Sequence, residues 1–157
     1  KAVMDKTPHE LRDQLGIAVA KRTYRAYRGL LDSNRFQRLA NAGARAQRLL
    51  WASTGTKDPN YPDVLYVESL IAPGVINTMP EQTLRAFAQH GTIGPVLDAD
   101  PAAGEQVLAA AAAAGVDLPA ITAELEREGV QSFADSYAEL VRCIEYKRDQ
   151  ITPAAPG

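Results

Sequence analysis

The chain has 157 residues, a formal net charge of −2 and 46% hydrophobic residues, the composition of an ordinary globular domain with enough length for a real core. The longest apolar run, Leu108–Val116, is too short to cross a bilayer, Lys1–Glu10 has no apolar centre of the signal-peptide kind, and the single cysteine, Cys143, cannot close an internal disulfide. A cytoplasmic, reducing setting with no membrane partner is therefore expected. Residues 1–48 carry eleven Lys/Arg against four Asp/Glu, a balance of +7 that leaves −9 for the remainder. A basic third is compatible with nucleic acid, but Lys21, Arg22, Arg25 and Arg28 fall at helical spacing with no recognition motif beside them. A solvated helix face is the reading adopted, and no nucleic-acid partner is expected.

Thr7-Pro8-His9-Glu10 reads as a helix start, with Thr7 as cap, Pro8 in the first turn and Glu10 completing a capping box. Ile17, Ala20, Tyr24, Tyr27 and Leu31 recur at steps of three and four, one apolar stripe on a helix of about five or six turns. A short helix over Asn34–Ala42 ends at Gly43. Leu49–Ser53 is a short apolar run entering the loop Thr54–Pro59, as a buried parallel strand reads. Asp63–Ile71 is a short helix or turn with Val64, Val67 and Ile71 on one face, and Pro73-Gly74 breaks it. Val75–Thr78 is a second short strand. Pro80 opens a helix through His90, closed by Gly91.

The rest reads as helical. Thr92–Asp100 is a loop, Pro101–Ala114 an alanine-rich helix ended by Gly115, and Asp117 caps a helix over Leu118–Glu128 ended by Gly129. Ser132 and Asp135 open the last helix, with Phe133, Tyr137, Leu140, Ile144 and Ile151 facing inward. Residues 1–151 are expected to form one domain and 152–157 a loose Pro/Ala tail. Two strands do not make a stable sheet alone, so their partners are expected upstream or in another chain.

The segment Trp51–Pro59 carries the strongest chemical signal. A strand ends in Ser53, and Thr54, Gly55, Thr56 and Lys57 follow. Hydroxyls, a glycine that admits close backbone N–H groups and one cation suit a phosphate, although a Ser/Thr/Gly loop is more often only a loop. In (β/α)₈ barrels phosphate often sits at the loops after the seventh and eighth strands.

Leu50–Asp63 (LWASTGTKDPNYPD), together with Tyr66-Val67 and Ala72–Pro80 (APGVINTMP), resembles the seventh and eighth strand regions of the longer, bacterial type of transaldolase. Leu15–Leu31 and Glu126–Leu140 are also similar to that family. The resemblance implies an α/β fold, the last two strands of a (β/α)₈ TIM-type barrel followed by additional C-terminal helices. It implies transfer of a dihydroxyacetone unit between sugar phosphates, as in the pentose phosphate pathway, through a lysine Schiff base on the fourth strand. Acidic residues on earlier strands and a bound water would move protons. No metal or organic cofactor is implied. The partners implied are phosphorylated sugars and the upstream half of the same barrel.

Residue by residue, Ser53 matches the family's serine that holds substrate phosphate at the end of the seventh strand. Shorter transaldolases place an arginine two positions later, where this chain has Gly55, and Lys57 is the nearby cation, a point charge without the arginine fork. Asn77 and Thr78 end the eighth strand and would line the pocket. The five lysines, Lys1, Lys6, Lys21, Lys57 and Lys147, lie at the terminus, on charged helices or in a loop. None sits in an apolar strand, where burial lowers an amine pKa, so the nucleophile is expected upstream and these residues alone are expected to be inactive. His9 reads as an exposed first-turn residue, His90 as a partner of its helix C-terminus, Cys143 as a partly buried structural thiol and Trp51 as core. Two other readings stay open: a non-catalytic split-barrel or scaffold element, and a transaldolase-like enzyme for another sugar phosphate.

Overall fold

A computed structural model describes residues 8, 11–94, 97 and 101–151. The capping box at Thr7 and Glu10, the first-turn reading of His9, the end of the 92–100 loop and the 152–157 tail lie outside the described residues. Elements run in the order α1 (Leu15–Asp32), α2 (Asn34–Asn41), β1 (Leu49–Trp51), α3 (Leu65–Ser69), β2 (Val75–Asn77), α4 (Glu81–His90), α5 (Pro101–Ala113) and α6 (Leu118–Ile151). The described residues up to Val116 form one compact unit, and those from Asp117 form a second.

In the first unit β1 and β2 pair in parallel, Leu49 with Val75, Leu50 with Ile76 and Trp51 with Asn77. Strand alternation places Leu49, Trp51 and Val75 on one face. That face closes on Ala20 and Tyr24 of α1, on Leu70 just after α3 and on Leu97. The other face, Leu50 and Ile76, is 48% and 37% exposed. Trp51 is the centre of the core at 8% exposure, and its indole N–H donates to the Leu70 carbonyl at 3.0 Å, so the ring brings its polar atom into the core without an unmet donor.

The α1 stripe behaves as its spacing predicts. Tyr24 is buried, and its hydroxyl donates to the Pro73 carbonyl at 3.2 Å, tying α1 to the turn that feeds β2. The basic face of α1 is exposed but not idle. Arg22 and Arg25 both reach Glu105 of α5, at 2.5 and 3.1 Å. Beside them Gly104 lets the helices approach: a Cβ there would stand 3.2 Å from Lys21 Cβ and 3.4 Å from the Ala18 carbonyl oxygen. The hydrogen bond from Arg22 holds the Glu105 carboxyl below its ordinary value.

Local punctuation follows the sequence at most joints. Ser33 caps α2 by accepting the Phe36 N–H at 3.2 Å. Gly43, Gly74 and Gly115 all take positive φ, so α2 and α5 end at the predicted glycines. In the short α3 region Val64, Val67 and Leu70 are the buried residues, with Ile71 only partly covered.

The second unit departs from expectation. Asp117 caps it, accepting the Ala120 N–H at 3.0 Å, but the two expected helices are one, a continuous 34-residue α6. Gly129 does not stop it because it lacks the left-handed φ of a helix terminator. A helical glycine costs only about 1 kcal/mol, which good helix formers on both sides outweigh. Phe133, Tyr137, Leu140, Ile144 and Ile151 do not face inward; they are 82, 70, 55, 58 and 80% exposed. Cys143 is likewise exposed rather than partly buried. The 3/4 spacing places these residues along one face of α6. Among the described residues no single helix is long and apolar enough to cross a membrane.

Candidate functional site at the carboxyl ends of the strands

Beyond Trp51 the ladder changes step. The Thr78 N–H donates to the Trp51 carbonyl at 2.9 Å, as the register demands. The Thr78 carbonyl then accepts from Thr54 at 3.1 Å, not from Ser53. Ser53 is thus the extra residue of a bulge. Its φ is +55°, a positive value that no other non-glycine residue among the described ones adopts. A side chain in that region costs roughly 1–2 kcal/mol, and such residues gather at functional sites. Ser53 is exposed and Thr54 buried.

Three side chains hold this turn. Thr78 Oγ1 donates to the Trp51 carbonyl at 2.9 Å and accepts the displaced Ser53 N–H at 3.4 Å. Thr54, 4% exposed, shares its hydroxyl proton between Asn77 Oδ1 at 2.6 Å and the Thr78 carbonyl at 3.0 Å. A buried hydroxyl without partners costs about 1–3 kcal/mol; here it is satisfied. Gly55 packs against the start of α4, where a Cβ would lie 3.0 Å from Thr83 Oγ1 and 3.1 Å from Pro80 Cγ. Further along, Thr56 donates to the Pro62 carbonyl at 2.9 Å and folds the loop back toward α3. In Asp58 a carboxylate oxygen accepts from the Asn60 N–H and side-chain amide, both at 2.9 Å.

Of the four residues singled out in the sequence, the fold joins Ser53 directly to Thr78. Asn77 is half-buried and committed to Thr54. Lys57 is exposed on the loop, and no hydrogen bond links it to Ser53 among the described residues. Thr54 belonged to the hydroxyl run noted in the sequence but not to those four, and its role in holding the turn was not read there; sequence does not tell which of several hydroxyls turns inward. His90 closes the last turn of α4, as expected, and its Nε2 also lies 2.9 Å from Asp63 Oδ1, a partner the spacing did not indicate. Both side chains are more than half exposed, so the pair contributes little to stability. Among the described residues no group of three His, Cys, Asp or Glu side chains could hold a metal ion. Lys21 and Lys147 lie on helices, and Lys57 in the loop, so none of these lysines projects from a strand.

The sequence pattern of the transaldolase/fructose-6-phosphate aldolase family matches residues 1–144. A transaldolase of Saccharopolyspora erythraea is 46% identical over 142 residues, covering 90% of this chain and 39% of that protein. A transaldolase of a Parafrankia species is 47% identical over 146 residues, 92% of this chain and 39% of the relative. One of Mycolicibacterium smegmatis is 45% identical over 140 residues, 88% of this chain and 38% of the relative. The chain thus spans about two-fifths of the length of these relatives, and with the family pattern running across most of it, the chain belongs to the transaldolase/fructose-6-phosphate aldolase family.

Proposed function

We propose that these residues form the phosphate-holding end of a transaldolase active site, within a (β/α)₈ barrel whose last two strands are β1 and β2. The reaction moves a dihydroxyacetone unit from a ketose phosphate to an aldose phosphate, the chemistry of the pentose phosphate pathway. A lysine amine condenses with the ketose carbonyl, and the resulting iminium takes up the electrons released as the carbon–carbon bond breaks. Among the described residues Lys21, Lys57 and Lys147 lie off the strands, and in the sequence Lys1 and Lys6 have polar neighbours rather than the apolar setting that this amine needs, so in this reading the nucleophile belongs to strands outside these 157 residues.

The observation that carries this reading is the bulge at Ser53. A strained, exposed serine stands at the carboxyl end of a parallel strand, the end where barrel enzymes assemble their sites. The uncovered Leu50–Ile76 face supports the barrel, because parallel sheets are covered on both sides. In this reading Ser53 contacts the substrate phosphate, Lys57 supplies the charge, and Asn77 and Thr78 stand behind Ser53 at the end of β2. The close packing of Gly55, where a Cβ would stand 3.0 Å from Thr83 Oγ1 and 3.1 Å from Pro80 Cγ, fits glycine where shorter transaldolases have an arginine, since a larger residue would require these neighbours to shift.

Borohydride reduction of the complete enzyme with fructose 6-phosphate, followed by peptide mass spectrometry, tests the assignment. The adduct is expected on a lysine outside this chain. An adduct on Lys1, Lys6, Lys21, Lys57 or Lys147 overturns it. Lys57→Ala is expected to raise KM for the phosphorylated substrate several-fold with little change in kcat; an unchanged KM removes Lys57 from the site.

A further inference from the structure

We propose that Thr54 and Thr78 are positioning residues for substrate phosphate: their hydroxyls hold Ser53 in its left-handed conformation without touching the ligand. This rests on the reading that Ser53 contacts the phosphate. Ser53 has lost the ladder partner that a regular strand would give its N–H, since Thr54 takes the Thr78 carbonyl. The Thr78 hydroxyl substitutes for it and passes its own proton on to Trp51. One residue later the Thr54 hydroxyl fastens to Asn77 and to the Thr78 carbonyl. Ser53 is therefore flanked by two side-chain ties, both anchored on the end of β2. That strand is paired with β1 immediately before the bulge, at Trp51 and Asn77.

The hydroxyls, rather than the shape of threonine, are the point. Thr54 is buried in a slot that valine would fill equally well, so its oxygen is there to bond. Neither group is available to a ligand as donor: the Thr78 proton lies on the Trp51 carbonyl and the Thr54 proton is shared inside the turn. Thr78 thus acts on the phosphate through Ser53, not as a wall of the pocket. Asn77 acts one step further back, as the acceptor for Thr54.

The test uses the complete enzyme and reads kcat, KM for fructose 6-phosphate and the inhibition constant of inorganic phosphate. Thr54→Val and Thr78→Val are each expected to raise KM and the phosphate inhibition constant about five- to tenfold, with kcat changed less than about twofold. Thr54→Ser, which keeps the hydroxyl, is expected to restore both. The double variant Ser53→Ala/Thr54→Val is expected to bind phosphate no more weakly than Ser53→Ala alone, because residues acting through one contact are not additive. Phosphate inhibition unchanged in Thr54→Val and Thr78→Val, while Ser53→Ala weakens it, overturns the positioning role and leaves the phosphate reading standing. Unchanged inhibition in Ser53→Ala overturns both. If Thr54→Val fails to fold, Thr78→Val at its exposed position carries the comparison, with Thr78→Ser as its rescue.

Discussion

Replacing Ser53 by glycine separates its proposed part in binding from what it costs the fold. At φ +55° a Cβ is opposed by roughly 1–2 kcal/mol, a penalty that glycine does not carry. Glycine in turn loses about 0.5–1 kcal/mol more chain freedom on folding. The Ser53 side chain is exposed, so removing it leaves no cavity. The difference predicts that Ser53→Gly is more stable than the natural protein by about 0.5–1 kcal/mol. In a domain of roughly 150–250 residues that is a rise in melting temperature of about 2 °C. Ser53→Ala keeps the strain and should melt with the natural protein, while Ser53→Val, branched at Cβ, should melt lower. The same glycine variant should bind phosphorylated substrate more weakly, so stability and affinity move in opposite directions. Scanning calorimetry of the three variants decides the matter. A glycine variant that melts below the alanine variant would refute the claim that Ser53 is held against its own backbone preference.

Two further predictions concern the frame around the site. Because the Glu105 carboxyl is held below its ordinary value by Arg22, its contribution to the α1–α5 contact is complete above the usual carboxylate range. It is lost as pH falls through the lowered value; Glu105→Gln should flatten that part of a stability–pH curve, and an unchanged curve would count against the pairing. Trp51→Phe keeps an aromatic ring but strands the Leu70 carbonyl, which should cost about 1–3 kcal/mol in urea denaturation beyond any packing loss.

The sequence carried the elements that are decided locally. The α1 stripe, the glycines that end α2 and α5, the Asp117 cap and both strands were legible because spacing, φ preference and apolar runs are properties of neighbouring residues. The breaks came where distant atoms decide. Gly129 looked like a stop, but a stop needs a positive φ, and composition does not supply one. The stripe from Phe133 to Ile151 identified a face and could not say what covers it. At the proposed site, Ser53 and Thr78 were singled out by their place at strand ends and by family resemblance. The bulge was not, since serine rarely takes a left-handed φ and the atoms that hold it there are 25 residues away.

The bulge also makes this loop sensitive to counting. Up to Ala52 the side chains alternate with the strand, Trp51 covered and Ala52 open, so an unbroken strand would cover Ser53 and expose Thr54. The inserted residue inverts that parity, and everything to Gly55 depends on it. A one-residue deletion anywhere from Ser53 to Gly55 is therefore a different perturbation from any substitution there. Deleting Ser53 would remove the bulge and its exposed serine while leaving Thr54 in the inward slot; deleting Thr54 would hand that slot to another residue, and deleting Gly55 would bring Thr56, with its Cβ, beneath Pro80 and Thr83. Loop grafts between transaldolases of different lengths should keep the spacing from Trp51 to Gly55 fixed, even where every residue between them is exchanged.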